Sequence, residues 1–240
     1  MGSIIQNSLA VIPARAGSKS VKNKNLRIFH NKPLIAWTIE QAIASQVSRV
    51  VVTTNSEEIR DVAIDYGVEV PYLRSEELSN DTIGMEPVII DLLNYLKSNE
   101  GYIPDCVALL LPTSPFRIVD DINESLKIFF NNNLTSVVSV SRAIANQNPH
   151  WMLKKADNNK IMLFTGQALS EIKTRRQELP DVFIRNDFVY IMKPDNLYQD
   201  PIGLYGDKVE LMIVSDERPD IDINTEMEWV VAETIFKQMI

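Results

Sequence analysis

An α/β fold, built on a mostly parallel sheet with helices on both faces, is predicted by three features of this 240-residue chain. Strand-like and helix-like stretches alternate from the first element onward, as in repeated βαβ units. The strand-like stretches at 8–12, 49–54 and 106–111 are apolar or β-branched with little alternation, as expected of strands covered on both faces. Each is followed by a polar loop, and in open parallel sheets ligands gather beyond the carboxyl ends of the strands.

Residues 8–12 are the first buried strand. The loop after it, Pro13-Ala14-Arg15-Ala16-Gly17-Ser18-Lys19, is small, basic and hydroxyl-bearing, with one glycine and several backbone N–H donors. Such a loop suits a polyphosphate. Arg15 offers a planar fork to two phosphate oxygens, Lys19 a mobile point charge, and Lys22, Lys24 and Arg27 extend the positive field. Apolar residues at helical spacing predict a helix over 33–43, and Asn55-Ser56-Glu57-Glu58 starts another that Gly67 ends. Residues 68–71 form a short strand, placed near an edge by Pro71, before a polar loop at 74–82.

A helix follows at 86–97 and a strand at 106–111, stopped by Pro112-Thr113-Ser114-Pro115-Phe116-Arg117. Asp120 or Asp121 caps the helix that runs to Phe130, and 135–140 is again a strand. From 143 to 180 the rhythm breaks into polar turns such as Asp157-Asn158-Asn159-Lys160, which marks an inserted arm within a single 1–240 domain. Strands at 181–192 and 208–214 and a helix over 225–238 complete the chain.

Composition excludes several classes. A 45% apolar content supplies a substantial core, and a net charge of −8 argues against nucleic acid or an anionic membrane as partner. The start of the chain, Met1 to Asn7, lacks a basic signal-type region, so a cytoplasmic location is expected. Cys106 is the single cysteine and reads as an inert core thiol; His30 and His150 lack zinc-ligand spacing. Gly17 alone cannot make a Gly-x-Gly-x-x-Gly fingerprint, and Lys19-Ser20 lacks the earlier glycine of a Walker loop.

Four motifs in order resemble the acylneuraminate cytidylyltransferase, or CMP-sialic acid synthetase, family: Ile12 to Lys19 with Lys24-Asn25, Pro112 to Arg117, Arg176-Gln177-Glu178-Leu179-Pro180, and Asp222-Ile223-Asn224-Thr225. The resemblance spans nearly the whole chain and implies a Rossmann-like nucleotidyltransferase sheet with an inserted dimerisation arm. It implies that CTP binds at Ala14, Arg15, Ser18, Lys19, Lys24, Asn25, Arg74 and Thr82, with Arg15 and Lys19 acting on the phosphates. Ser114, Arg176, Gln177, Asn186 and Tyr190 would meet the sugar acid, whose anomeric hydroxyl attacks the α-phosphate and expels pyrophosphate without a phosphoenzyme. The sugar is sialic, legionaminic or pseudaminic acid or a relative, activated for surface polysaccharide.

Asp220 and Asp222 flank Ile221, so on an extended segment both carboxylates point to one side and can share Mg²⁺. Here the chain departs from the family's Asp-x-Asp-Thr, because Asn224 holds the second position. Leu111 stands where many relatives have glutamine, and Arg185-Asn186-Asp187-Phe188-Val189-Tyr190 where Asn-Gly-Ala, an aliphatic residue and tyrosine are common. Ser20 replaces a frequent glycine. Asn224, Leu111 and Ser20 keep open a catalytically weak nucleotide binder; a cytidylyltransferase for an eight-carbon keto-deoxy acid is a further alternative, as is a nucleotide-sugar glycosyltransferase, whose sheet would also carry a metal-binding Asp-x-Asp but mid-domain, where here Asp220-Ile221-Asp222 comes late in the chain. The arm, with Trp151, Met152, Ile161, Met162 and Phe164 beside Lys154, Lys155, Lys173, Arg175 and Arg176, is expected to reach across a homodimer toward the neighbour's sugar pocket.

Overall fold

The sheet is laid around β1 (Ser8–Pro13), whose residues Leu9 to Ile12 are wholly buried and must be covered on both faces. This is seen in a computed structural model that describes residues 7–157 and 159–239, so most of the N-terminal stretch read above, and Asn158, lie outside the described residues. A hairpin of β2 (Ile28–Phe29) and β3 (Lys32–Pro33) leads into α1 (Leu34–Ala44) and β4 (Arg49–Thr53). Then come α2 (Glu57–Asp65), α3 (Met85–Glu100), β5 (Cys106–Leu109), α4 (Val119–Asn131) and β6 (Ser136–Arg142). The 143–180 arm carries the hairpin of β7 (Leu153–Lys155) and β8 (Ile161–Leu163). It is followed by β9 (Phe183–Met192), β10 (Val209–Ile213) and α5 (Glu226–Met239).

The six main strands lie in the order β10-β6-β9-β5-β1-β4. β1 pairs in parallel with β4 and β5, and β10 in parallel with β6. Alternate residues divide the core in two. Ala10 and Ile12 meet α1, α2, α4 and α5, whereas Leu9 and Val11 meet Ile89, Leu92 and Leu96 of α3. Around α5 the packing is aromatic, with Phe236 edge-on to Phe29 and Trp37 at ring separations of 5.1 and 4.6 Å.

Local signals are realised closely. The Ser56 hydroxyl accepts the Ile59 N–H at 3.3 Å to cap α2. At its other end Gly67, at φ +86°, lets the Val68 N–H reach the Ala63 carbonyl and the Gly67 N–H the Ile64 carbonyl. Of the two candidate caps for α4, Asp121 serves, reaching back to the Ile118 N–H at 2.9 Å. In place of a 68–71 strand, residues 69 and 73 make isolated bridges, Val51 to Glu69 and Thr54 to Leu73, along the outer edge of β4. Cys106 is buried and its thiol is pushed up to about 12 by burial, so it is inert.

β9 runs antiparallel to both β5 and β6. The arm returns the chain to the end of the sheet it has just left, since Arg142 at the end of β6 pairs with Phe183 at the start of β9. Strand direction leaves no mark on an apolar pattern, so only topology reveals it. Between the pairs Val138–Tyr190 and Val140–Arg185, β6 has only Ser139 while β9 has residues 186–189. This bulge is pinned from inside: the Ser139 hydroxyl accepts the Val189 N–H at 2.8 Å and bonds the Asn186 side chain. Arg117, fully buried, donates through Nη1 to the Phe188 carbonyl at 2.8 Å and the Leu111 carbonyl at 3.2 Å. Its Nη2 bonds Thr38 at 2.5 Å and its Nε bonds Gln41 at 3.1 Å.

Replacing this guanidinium strands the buried Phe188 carbonyl and leaves the half-buried Leu111 carbonyl with only the Thr38 hydroxyl, at 3.5 Å. Arg117→Met is expected to lower unfolding free energy by about 1–3 kcal/mol per orphaned acceptor, seen as a lower urea midpoint. Arg117→Lys, lacking the planar fork, should recover only part of it; an unchanged midpoint in Arg117→Met would contradict this role.

Candidate active site

The carboxyl ends of β1, β4 and β5 open onto a cleft, and the bulge of β9 enters it from the opposite direction. The phosphate-type loop after β1 is anchored at its base by the Ala14 N–H to the Thr53 carbonyl, 3.0 Å. Asn25 holds the Arg15 carbonyl at 3.1 Å, and the Asn55 side chain accepts the Ala16 N–H at 2.9 Å. Gly17 has open space around its missing Cβ, and its φ of +75° is what calls for glycine there.

A cavity of about 420 Å³ joins this loop to the C-terminal acidic loop. Arg15, Ser18, Lys19, Lys24, Asn25 and Arg74 line one side, and Asp187, Asp222 and Asn224 the other, with Leu111 and Thr113 between. Lys24 spans the two halves, donating to the Ile223 carbonyl at 2.8 Å and the Asn224 side chain at 3.4 Å. Burial lowers the pKa of its ammonium, with the Asp222 charge acting the other way. Arg74 is 4% exposed; its Nε donates to Ser79 at 3.0 Å and its Nη1 is buried without a hydrogen-bond partner. Arg27 does not extend the positive field, because Glu226 pairs with it at 2.7 Å and it lies 4.2 Å over the Trp229 ring.

Burial pushes the Asp222 carboxyl up; the Thr113 hydroxyl offsets this in part, and the Asp187 charge pushes it further. Asp220 is shifted the same way by burial, against a hydrogen bond from Ser141. Both line an adjoining cavity of about 450 Å³ with Asp187, Asn186 and Met227. Among the described residues no group of three or more His, Cys, Asp or Glu side chains is placed to hold a metal ion. The donors nevertheless fit Mg²⁺, which uses one or two carboxylates and completes its shell with water and substrate phosphates. Asp222 Oδ1 is buried without a hydrogen bond of good geometry, as a ligand atom would be.

Other expected residues lie apart from the cavity of about 420 Å³. Thr82 turns onto Asn80 at 2.7 Å, and Ser114 is 1% exposed beneath the loop. Arg176 lines a separate cavity with Asp220, Arg142 and Arg218, while Gln177 is exposed on the arm. Asn186 is buried in the bulge, bonding Ser141 at 2.9 Å, and Tyr190 is core, its hydroxyl donating to Asp187 at 2.5 Å. Sequence reasoning missed two residues. Asp187 was visible only as a departure from a family pattern, and Asp81, which pairs with both Arg15 and Lys19, carried no signal beyond lying in a polar loop.

The pattern of the cytidylyltransferase family matches residues 9–213. The chain belongs to this family. It is 33% identical over 230 residues, 95% of this chain and 96% of the relative, to a CMP-N,N'-diacetyllegionaminic acid synthase of Legionella pneumophila. It is 32% identical over 229 residues to an N-acylneuraminate cytidylyltransferase of Escherichia coli, covering 95% of this chain and 51% of that protein. A solved CMP:2-keto-3-deoxy-manno-octonic acid synthetase complexed with CTP superposes with a TM-score of 0.70 at 15% identity, over 98% of this chain and all of the other, and so shares the fold.

The acidic loop ends in a capping box at the start of α5. The Glu228 N–H donates to the Thr225 hydroxyl at 3.2 Å, and Glu228 Oε2 accepts the Thr225 N–H at 2.7 Å and the Asn224 N–H at 2.8 Å. Burial acts against the Glu228 charge, but these donors outweigh it and hold its carboxyl below the ordinary 4.5. A depressed carboxyl contributes stability that is present above its ordinary value and lost as the pH falls through its folded value. Glu228→Ala should therefore lower the melting temperature by about 2–4 °C at neutral pH, with the gap to wild type narrowing as the solution is acidified. A gap that is absent at neutral pH, or that widens in acid, would contradict the capping role.

Proposed function

We propose that this cytidylyltransferase moves CMP from CTP to the anomeric hydroxyl of a nonulosonic, sialic-acid-like 2-keto-3-deoxy acid, releasing pyrophosphate. The observation that carries this reading is the single cavity with Arg15, Lys19, Lys24 and Arg74 on one wall and Asp222 on the other, on a chain alike over its whole length to a CMP-legionaminic acid synthase. Arg15 and Lys19 would hold the triphosphate and meet the charge that grows on the departing pyrophosphate. Lys24, fixed between the two loops, would keep their spacing, and Arg74 would offer its unpartnered Nη1 to the nucleotide. The sugar hydroxyl forms the new bond to the α-phosphorus as the bond to the β-phosphate oxygen breaks, so the chain's task is positioning and charge neutralisation.

Mg²⁺ is the metal we propose, held by Asp222 with Asp220 or Asp187 in support; when bound it would supply positive charge to neutralise the phosphates. We propose that the enzyme works in the cytoplasm; among the described residues no helix is long and apolar enough to cross a membrane. Pyrophosphate release, measured with sialic, legionaminic, pseudaminic and eight-carbon keto-deoxy acids against all four nucleoside triphosphates, is expected only with CTP and a nine-carbon acid. Turnover with UTP or ATP but not CTP would refute the assignment, and tight CTP binding without turnover would favour the weak nucleotide binder.

The 143–180 arm is proposed to close a homodimer. Leu153 and Phe164 of its hairpin are 55% and 57% exposed, while Trp151 is tied down by its Nε1 donating to the Lys173 carbonyl at 2.6 Å. Light scattering should give twice the chain mass, and Leu153→Asp with Phe164→Asp should halve it; a wild-type monomer would contradict the arm's role.

A further inference from the structure

Asp81 stands where an incoming phosphate would be held. Its Oδ1 pairs with Arg15 Nη2, and its Oδ2 lies 2.6 Å from Lys19 Nζ, so one carboxylate spans the two cations of the first loop. We propose that Asp81 is an internal stand-in for the triphosphate, which a nucleotide must displace, so that this residue sets the affinity of the site. The proposal rests on the nucleotide reading above.

Three observations support displacement. The contact is exposed, with Lys19 at 82% and Asp81 at 37%, and ion pairs of this kind are weak enough for a polyanion to compete with. A phosphate entering beside Arg15 and Lys19 brings its own negative charge against Asp81 and drives it away. Finally, Asp81 leaves the cavity unsatisfied: Arg74, 4% exposed on the same wall, keeps a buried Nη1 with no acceptor, which marks room for a ligand that reaches deeper than Asp81 does.

The movement required is local. Arg74 is tied to β4 by its N–H to the Thr54 carbonyl, 2.7 Å, and Glu76 by the Asn55 side chain at 3.0 Å. Ser79, buried, is held by Arg74 Nε at 3.0 Å; beyond it Asn80 to Thr82 form a turn in which the Thr82 hydroxyl and N–H meet the Asn80 side chain and Asn80 donates back to the Glu77 carbonyl at 2.7 Å, so Asp81 itself makes no tie to the core. That turn carries Asp81 and lies before α3, so it can swing outward without disturbing the core.

Titration calorimetry of CTP and of inorganic tripolyphosphate, each into the wild-type full chain, Asp81→Asn and Asp81→Ser, tests this. The variants should melt as wild type does and bind both ligands about threefold to tenfold more tightly. In a Lys19→Met background the gain from Asp81→Asn should shrink, because one of the two cations it frees is gone. Unchanged or weaker binding by both folded Asp81 variants would overturn the stand-in role while leaving the nucleotide site intact. A folded wild type that binds neither CTP nor tripolyphosphate would overturn both together.

Discussion

The geometry of this site hangs on one buried guanidinium. Where β9 bulges away from β6, the Phe188 carbonyl is held by Arg117 at 2.8 Å, and the same side chain holds the Leu111 carbonyl, two residues beyond β5, and the Thr38 hydroxyl on α1. An unpaired carbonyl at that depth would cost about 1–3 kcal/mol. With Arg117 in place, the bulge is a fixed shape and not a fault in the sheet. Asp187, one residue before Phe188, is thereby carried to the cavity, where it lies on the same side as Asp222 and Asn224. Thr113, just beyond Leu111, accepts the Ile223 N–H through its carbonyl at 2.9 Å, which ties the acidic loop to the same frame.

From this frame the charges are delivered by different elements. Arg15, Lys19 and Lys24 come from the loop after β1 and Arg74 from the segment beyond β4, whereas Asp187 comes from the bulge of β9 and Asp222 from the turn before α5. Lys24 joins the two, and its partial burial makes its bonds to the Ile223 carbonyl and Asn224 stronger than they would be in water. Burial that raises the Asp222 carboxyl and leaves its Oδ1 without a well-formed hydrogen bond is a cost that a bound cation would relieve. The ligand-free chain meets its other excess charge internally, with Asp81 lying against Arg15 and Lys19.

Much of this was legible from residues alone. The buried runs at β1, β4 and β5, the Ser56 and Gly67 helix ends, and the basic loop after β1 are local features, and local features are written in local sequence. The broken rhythm over 143–180 coincides with the small β7–β8 hairpin, which lies outside the main sheet. What escaped depended on contacts distant in the chain. The direction of β9 follows from where the arm returns it, and the deep burial of Arg117 follows from Phe188, 71 residues away. Arg27 reads as one more cation until α5 brings Glu226 against it. Ser114 and Tyr190 belong to motif-like strings, yet one lies beneath the loop and the other packs in the core, reaching the cavity only through its bond to Asp187.

In the proposed reaction one cavity holds the triphosphate against Arg15 and Lys19 and a divalent cation against Asp222. A crystal structure of the chain with CTP and Mn²⁺, the metal located by its anomalous scattering, tests this most directly. Phosphate oxygens are expected on Arg15 and Lys19, with Asp81 turned away from both and the manganese peak on an Asp222 carboxylate oxygen. A nucleotide seated elsewhere, or a manganese peak remote from Asp222, would contradict it.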